Sequence, residues 1–411
     1  MHHEPPKKAA GGVGVGGSNP LVPTNFAQTC KFNCRKALCC QTAPPHLRGV
    51  LNAQGHWFIK APNLGETKLR ETTMIQKPYL LFTGDAQNTR STKTAFGLRD
   101  WVPEAVTGQW RLPEGRVDLG LPMLDPAAAY AAGARSMVIG IAPFGGALPE
   151  TWVPGLVAAL EAGLDLVSGL HTRLSAIPAV AEAATRTGRA LHDVRHSDRT
   201  FPAGTGEKRS GKRLLAVGTD CALGKKYTAL ALARGLKARG HAADFRATGQ
   251  TGIMIAGEGV AIDAVVADFI AGAAETLSPA AAPDHWDVIE GQGALFHPAY
   301  AGVTLGLLHG SQPDALVLCH EPARRHIEDL PWAVIPPLGE AMRRYLDAAR
   351  VTNPAARFVA ISLNTSRLDE AAAHAAAAEA AAAHGLPVFD PLRFGLDSAL
   401  DHIESIYGGA K

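Results

Sequence analysis

The chain has 411 residues, a formal net charge of +2 and 46% hydrophobic residues. That length accommodates two full cores at roughly 100 to 200 residues per domain. Basic residues are spread too evenly to mark a nucleic-acid partner, and Gly, Pro or a charge interrupts every apolar run before the roughly 18 residues of a membrane span. A soluble, cytoplasmic protein acting on small molecules is the expectation.

Residues 1–73 stand apart. Gly11 to Gly17 is glycine-rich, apolar residues show no period, and Cys30, Cys34, Cys39 and Cys40 crowd together. A structural zinc site normally shows two separated cysteine pairs, and the adjacent Cys39 and Cys40 are hard to place in one tetrahedron. The segment reads as a disordered leader or a start assigned too early, and no metal is expected.

From Met74 short β-type runs alternate with helical patterns. Strands are predicted over Tyr79 to Phe82, Ser136 to Ile141, Leu164 to Ser168 and Ala190 to Val194, with helices over Pro126 to Ala132, Thr151 to Ala162 and Ser175 to Thr187. This order predicts a Rossmann-like parallel sheet covering residues 74–195, with ligand-binding loops at the strand ends. No G-x-G-x-x-G follows the first strand, so a nicotinamide cofactor is not indicated. Residues 196–213, rich in Pro, Gly, Ser and basic side chains, read as a linker. A second α/β domain is predicted over 214–411: strand from Leu214, helix to about Ala238, strand Ala243 to Arg246, helix Asp263 to Leu277, strands Asp287 to Glu290, Ala315 to Cys319 and Phe358 to Ser362, and an alanine-rich helix Asp369 to Ala383. The fold class is therefore α/β, two domains with parallel sheets, the second of P-loop type.

The strongest motif runs from Gly218 to Thr228. An apolar strand, a glycine loop and Gly224-Lys225 opening a helix come in the order that lets backbone N–H groups cradle phosphates. Gly218, Thr219, Asp220, Gly224, Lys225, Lys226, Tyr227 and Thr228 are the candidate cofactor-binding residues. Five residues separate the glycines where four are usual, and Lys226 stands where a magnesium-binding hydroxyl belongs. An ammonium there points to a loop that grips polyphosphate without magnesium. Asp220 reaches the ligand or caps the helix.

A second motif, Val288 to Pro298, ends a strand with Glu290. Such a carboxylate organises magnesium in a hydrolase, takes a proton in group transfer, or anchors a loop. His297 offers a base of suitable pKa. Arg246 to Gly252 ends another strand: Thr248, Gln250 and Thr251 suit hydrogen bonds to a substrate or an amide, and Arg246 suits a carboxylate, although a tight turn accounts for the glycines equally. His171 and Arg173, between a strand and a helix, suit an anion or merely a capping loop. His320 and Glu321 close a further strand. Neither an H-E-x-x-H nor a Ser-His-Asp order is visible, which disfavours zinc proteases and serine hydrolases.

The loop Gly218-Thr219-Asp220-Cys221-Ala222-Leu223-Gly224-Lys225 resembles the G-T-D-T-x-V-G-K-T loop of dethiobiotin synthetase, and Glu290-Gly291-Gln292-Gly293 is similar to that enzyme's E-G-A-G-G. The longer spacing is thus the mark of a subclass. From Met74 to about Tyr407 the chain resembles a family with a Rossmann-like N-terminal domain and a P-loop C-terminal domain, which includes the bacterial D-glutamate N-acetyltransferase. The resemblance implies acetyl transfer from acetyl-CoA to the amino group of D-glutamate, in bacterial D-amino-acid catabolism; direct attack in a ternary complex is the mechanism expected here. Lys225 and Lys226 would neutralise the phosphates of CoA, Glu290 or His297, with Asp220 as a further candidate, would take the proton, and Arg173 and Arg246 would hold the carboxylates. Cys221 offers an acetyl-enzyme route, its pKa lowered by a helix N-terminus, or simple packing. The rival readings are an ATP- and magnesium-dependent ligase or kinase of the dethiobiotin synthetase type and a non-catalytic nucleotide-binding protein. A homo-oligomer is the usual expectation for such an enzyme.

Overall fold

The computed structural model describes residues 75–89, 91–141, 143, 147–196 and 199–408. It also gives the backbone of two short strands, β1 (Val50–Leu51) and β2 (Trp57–Phe58), which pair antiparallel. The cysteine group Cys30 to Cys40, the boundary at Met74 and loop residues Phe144 to Gly146 lie outside the described residues.

From residue 75 the chain builds two parallel sheets, one in each of two lobes. The first lobe runs β3 (Tyr79–Gly84), α1 (Lys93–Trp101), β4 (Val106–Arg111), α2 (Pro126–Ala131), β5 (Ser136–Ile139), α3 (Val153–Glu161), β6 (Asp165–Ser168), α4 (Pro178–Thr187) and β7 (Leu191–Asp193). Its strand order is β4-β3-β5-β6-β7, and every pair is parallel. Tyr79, Leu80, Leu81 and Phe82 are buried without alternation, as a strand covered by helices on both faces requires. Asp125 caps α2 by accepting the Ala128 N–H at 2.8 Å, and left-handed Gly188 (φ 67°) ends α4.

The second lobe runs β8 (Lys212–Gly218), α5 (Lys225–Ala238), β9 (Ala243–Arg246), α6 (Gln250–Ala256), α7 (Ile270–Leu277), β10 (Trp286–Ile289), α8 (Ala301–Ser311) and β11 (Ala315–His320). A hairpin of β12 (His326–Ile327) and β13 (Leu330–Val334) follows, then α9 (Leu338–Ala349), β14 (Arg357–Leu363), α10 (Glu370–His384), β15 (Val388–Phe389) and α11 (Asp397–Tyr407). The main sheet has the order β15-β14-β11-β8-β10-β9, again all parallel. The fold is α/β with two parallel-sheet lobes, as the alternation predicts. Two predicted helices start later: the one expected from Ser175 begins at Pro178, after a single turn over Leu174–Ala176, and the one expected from Asp263 begins only at Ile270, because β-branched Val265 adopts an extended conformation between two single turns. No helix among the described residues is long and apolar enough to cross a membrane.

Helix α5 explains how the lobes meet. Ala229, Leu232, Ala233 and Leu236 pack into the core of the second lobe, whereas Leu230 and Ala231 join the core of the first, together with Met254 and Ile255 of α6. A helix buried on two sides must be apolar nearly all round, which is how the sequence Ala229 to Ala233 reads. Burying Leu230, Met254 and Ile255 contributes about 1.5–3 kcal/mol each. Polar contacts add direction: the Tyr79 hydroxyl donates to the Met254 carbonyl at 3.2 Å, and the buried hydroxyls of Thr94 and Thr251 lie 2.9 Å apart.

Candidate active site

Strand β8 is the switch point of the second sheet, with the chain moving to one side for β9 and β10 and to the other for β11 and β14. Such a point opens a crevice at the carboxyl ends of the strands. The loop after β8 fills it. Ala222 (φ 53°) and Gly224 (φ 102°) are left-handed, the backbone hand from which anion-binding nests are built, just before α5 begins. The loop is anchored from below: the Tyr345 hydroxyl donates to the Gly218 carbonyl at 2.8 Å, Thr219 N–H donates to the Cys319 carbonyl at 3.1 Å, and the Thr219 hydroxyl meets His320 Nδ1 at 2.9 Å. Burial pushes the His320 imidazole down to about 4, so it stays neutral. The Lys225 ammonium folds over the loop and donates to the Asp220 carbonyl at 2.8 Å.

Beside the loop, β10 ends at Glu290, which is only 4% exposed. Its Oε2 accepts the N–H groups of Thr248 and Gly249, both at 3.1 Å. Its Oε1 has no hydrogen-bond partner among the described residues, and the residue lines the cleft. Burial raises the Glu290 pKa, opposed by Lys226, the two N–H groups and Lys225. Gly291 has to be glycine, since a methyl group there would overlap the Ala216 carbonyl of the central strand.

Lys226 goes a different way from Lys225. Its Nζ would lie 2.9 Å from a methyl group placed on Gly97 of α1, and it sits 5.3 Å from the Tyr227 ring centroid. Crowding by protein pushes its pKa down to about 8, opposed by the carboxylates of Glu290 and Asp100 and reinforced by Lys93. The whole cleft encloses about 900 Å³, at the upper end of the range for small-molecule sites. One wall is α1 of the first lobe, the floor is the phosphate loop with the starts of α5 and α6, and the far end is formed by Ser362 to Asn364 and Asp390 to Leu392.

The family models for DUF1611, described as a domain of unknown function, match in two parts: a P-loop domain over residues 201–400 and a Rossmann-like domain over residues 113–197. The chain is 50% identical to a D-glutamate N-acetyltransferase of Tritonibacter scottomollicae over 81% of this chain and 100% of that one. It is 45% identical to a D-glutamate N-acetyltransferase of a Pseudoalteromonas species over 80% of this chain and 99% of that one. The chain belongs to the DUF1611 family. A crystal structure of a DUF1611 family protein from Anabaena variabilis superposes with a TM-score of 0.73 at 36% identity, covering 80% of this chain and 100% of that one.

Within this DUF1611 fold, Gly224, Lys225, Lys226, Tyr227, Thr228, Gln250, Thr251 and Glu290 all line the cleft. Gly218 and Thr219 lie beneath the loop as its anchors, and Thr248 lies beneath Glu290, donating its hydroxyl to the Glu290 carbonyl at 2.5 Å. Asp220 is fully buried. Its Oδ2 accepts Arg324 at 2.9 Å and the Glu328 N–H at 2.8 Å, and its Oδ1 accepts the Cys221 N–H at 2.6 Å. His297 is buried with its Nδ1 accepting the Ala299 N–H at 3.2 Å, outside the cleft lining. Ligand atoms of Asp220, Cys221 and His297 gather within 4.8 Å of one another, a metal-like grouping. Arg324 already neutralises Asp220, and its charge opposes a cation there. Cys221 lies in the loop ahead of α5, and burial raises its pKa, so the activated thiolate expected of a helix N-terminus is not what the surroundings favour.

Arg246 is committed elsewhere: its Nε donates to Asp287 at 2.7 Å, back along β10. His171 and Arg173 lie on the loop between β6 and α4, where the His171 carbonyl takes His196 Nε2 at 2.8 Å. Neither residue lines the cleft. In their place the structure brings Lys93, Thr94 and Asp100 of α1 into the site. They follow the first β-strand of the first sheet, and that position in a parallel α/β fold is the signal that would have flagged them.

Proposed function

We propose that the protein transfers the acetyl group of acetyl-CoA to the amino group of D-glutamate. The phosphate loop and Lys225 hold the pyrophosphate of CoA, and the thioester reaches toward the end of β10. Glu290 takes one proton from the ammonium, the freed amine attacks the thioester carbonyl, and as the C–S bond breaks the second proton lost from nitrogen goes to the departing sulfur, so that CoA leaves as the thiol. One observation carries this reading: Glu290 is a buried carboxylate that lines the cleft beside the loop, with one oxygen fixed by two N–H groups. The names of the relatives at 45% and 50% identity support the same chemistry.

Lys226 at the position of a magnesium-binding hydroxyl speaks against an ATP-dependent ligase. With this reading we propose small-molecule substrates, no nucleic-acid or membrane partner, a cytoplasmic location and a homo-oligomer. Calorimetric titration with acetyl-CoA, ATP and ATP plus magnesium, followed by a thiol-release assay with D- and L-glutamate, tests it. Acetyl-CoA binding and D-glutamate-dependent thiol release are expected. Tight binding of ATP with magnesium and none of acetyl-CoA would sink the proposal.

A further inference from the structure

Lys225 and Lys226 are chain neighbours that face different chemistry. Successive residues of a helix point about 100° apart, so when Lys225 folds onto the phosphate loop at the Asp220 carbonyl, 2.8 Å away, Lys226 turns out of it. The Lys226 ammonium runs instead toward α1 at the joint between the lobes, where it and the Thr251 methyl group would each lie 2.9 Å from a methyl group placed on Gly97. Lys93, the first residue of α1, lines the same compartment and is exposed. The start of α1 has no side-chain cap.

Two carboxylates border this compartment, and only one is free. Asp100 accepts Arg99 at 2.7 Å and the Tyr227 hydroxyl at 3.1 Å. Glu290 keeps Oε1 without a hydrogen-bond partner among the described residues. The compartment therefore offers two ammonium groups and one carboxylate oxygen, the charge mirror of an amino acid with two carboxylates and one ammonium.

We infer that the part of the cleft lined by the starts of α1, α5 and α6, beside the packed Thr94–Thr251 contact, is the acceptor subsite, in which Lys226 and Lys93 each hold one carboxylate of a dicarboxylic amino acid and Glu290 receives its ammonium. This rests on the transferase reading above and divides the cleft: the phosphate loop serves the donor, and Lys226 belongs to the acceptor. Selectivity follows from the charge count. A monocarboxylic amino acid leaves one lysine without a partner, and a dibasic one adds a repelled charge.

Lys93→Met, Lys226→Met and Lys226→Arg test the assignment by KM for each substrate and by calorimetric binding of D-glutamate and of glutarate, with melting temperature as the control for folding. Each Met variant is expected to weaken D-glutamate by about 10- to 100-fold, the range for a lost charge-assisted hydrogen bond, and to leave the acetyl-CoA KM within about twofold. Lys226→Arg is expected to retain most of the affinity. Because Lys93 is exposed, its replacement leaves the core untouched, and a structural effect at Lys226 cannot hide the answer. A higher acetyl-CoA KM with unchanged D-glutamate binding in Lys226→Met would overturn the assignment and return Lys226 to the phosphates. The binding arm separates the two proposals. Wild-type protein that binds D-glutamate through these lysines yet releases no thiol would refute the transferase reading and keep the subsite. Active wild-type protein whose Met variants bind D-glutamate normally would refute the subsite and keep the transferase.

Discussion

Replacing Glu290 by Gln isolates the proton acceptor from the packing around it. The amide keeps one oxygen to accept the Thr248 and Gly249 N–H groups, which now hold Oε2 at 3.1 Å, and puts a donor in place of Oε1, which has no hydrogen-bond partner among the described residues. Shape and anchoring survive while the base is lost. General-base catalysis contributes typically 10² to 10⁴ in rate, so kcat should fall by about that factor, roughly 2.7–5.4 kcal/mol of transition-state stabilisation. Acetyl-CoA affinity should stay near wild type, because Lys225 and the loop are untouched. Stability supplies an independent check. Burial raises the pKa of Glu290, so the folded protein holds that proton more tightly than the unfolded chain, and ionising the group costs stability as pH rises above the ordinary carboxylate range. Gln has no such cost, and the variant should melt no lower than wild type at pH 8. A steady-state thiol-release assay across pH, with thermal melts alongside, reads both quantities. A kcat within about threefold of wild type, or a loss confined to the KM of acetyl-CoA, would refute the assignment of Glu290 as base.

Two further outcomes follow from the charges around the phosphate loop. Arg324→Met leaves Asp220 buried without a countercharge, which costs about 3–5 kcal/mol; the denaturation midpoint should drop accordingly, and Asp220→Asn in the same chain should recover part of it. The Lys226 ammonium, with a pKa near 8 beside Glu290, Asp100 and Lys93, loses its charge above that pH in the free protein. Calorimetric D-glutamate affinity should therefore decline as pH rises past about 8, with proton uptake on binding, and Lys226→Arg should shift that decline to higher pH; a flat profile in wild type would contradict it.

The sequence makes the sheet strands and the phosphate loop legible because each has a local signal: an unbroken apolar run, or glycines at the two ends of a turn. Strand β9, Ala243–Arg246, matches its predicted limits, and α5 ends at Ala238 as read. Side-chain direction is another matter. Arg246 sits at a strand end as predicted, but its guanidinium turns back to Asp287, and only the register of β9 on β10 reveals that a carboxylate waits there. Asp220 has the spacing of a catalytic group, yet Arg324 reaches it from 104 residues further along the chain. Helix α1 has a weak helical signature in the sequence because Gly97 interrupts it. That glycine is explained only in three dimensions, where the Lys226 ammonium occupies the room a side chain would need.

The joint through α5 and α6 has a consequence for how such an enzyme diversifies. The phosphate loop, Lys226 and Glu290 come from the second lobe, whereas one wall of the cleft comes from α1 in the first. On the proposed assignment, exchanging the first lobe would change only the Lys93 side of the acceptor subsite, while Lys226, Glu290 and the phosphate loop would stay with the second. The price is the seam itself: Leu230, Met254 and Ile255 must fit whichever partner arrives, so acceptor preference and lobe packing are inherited together.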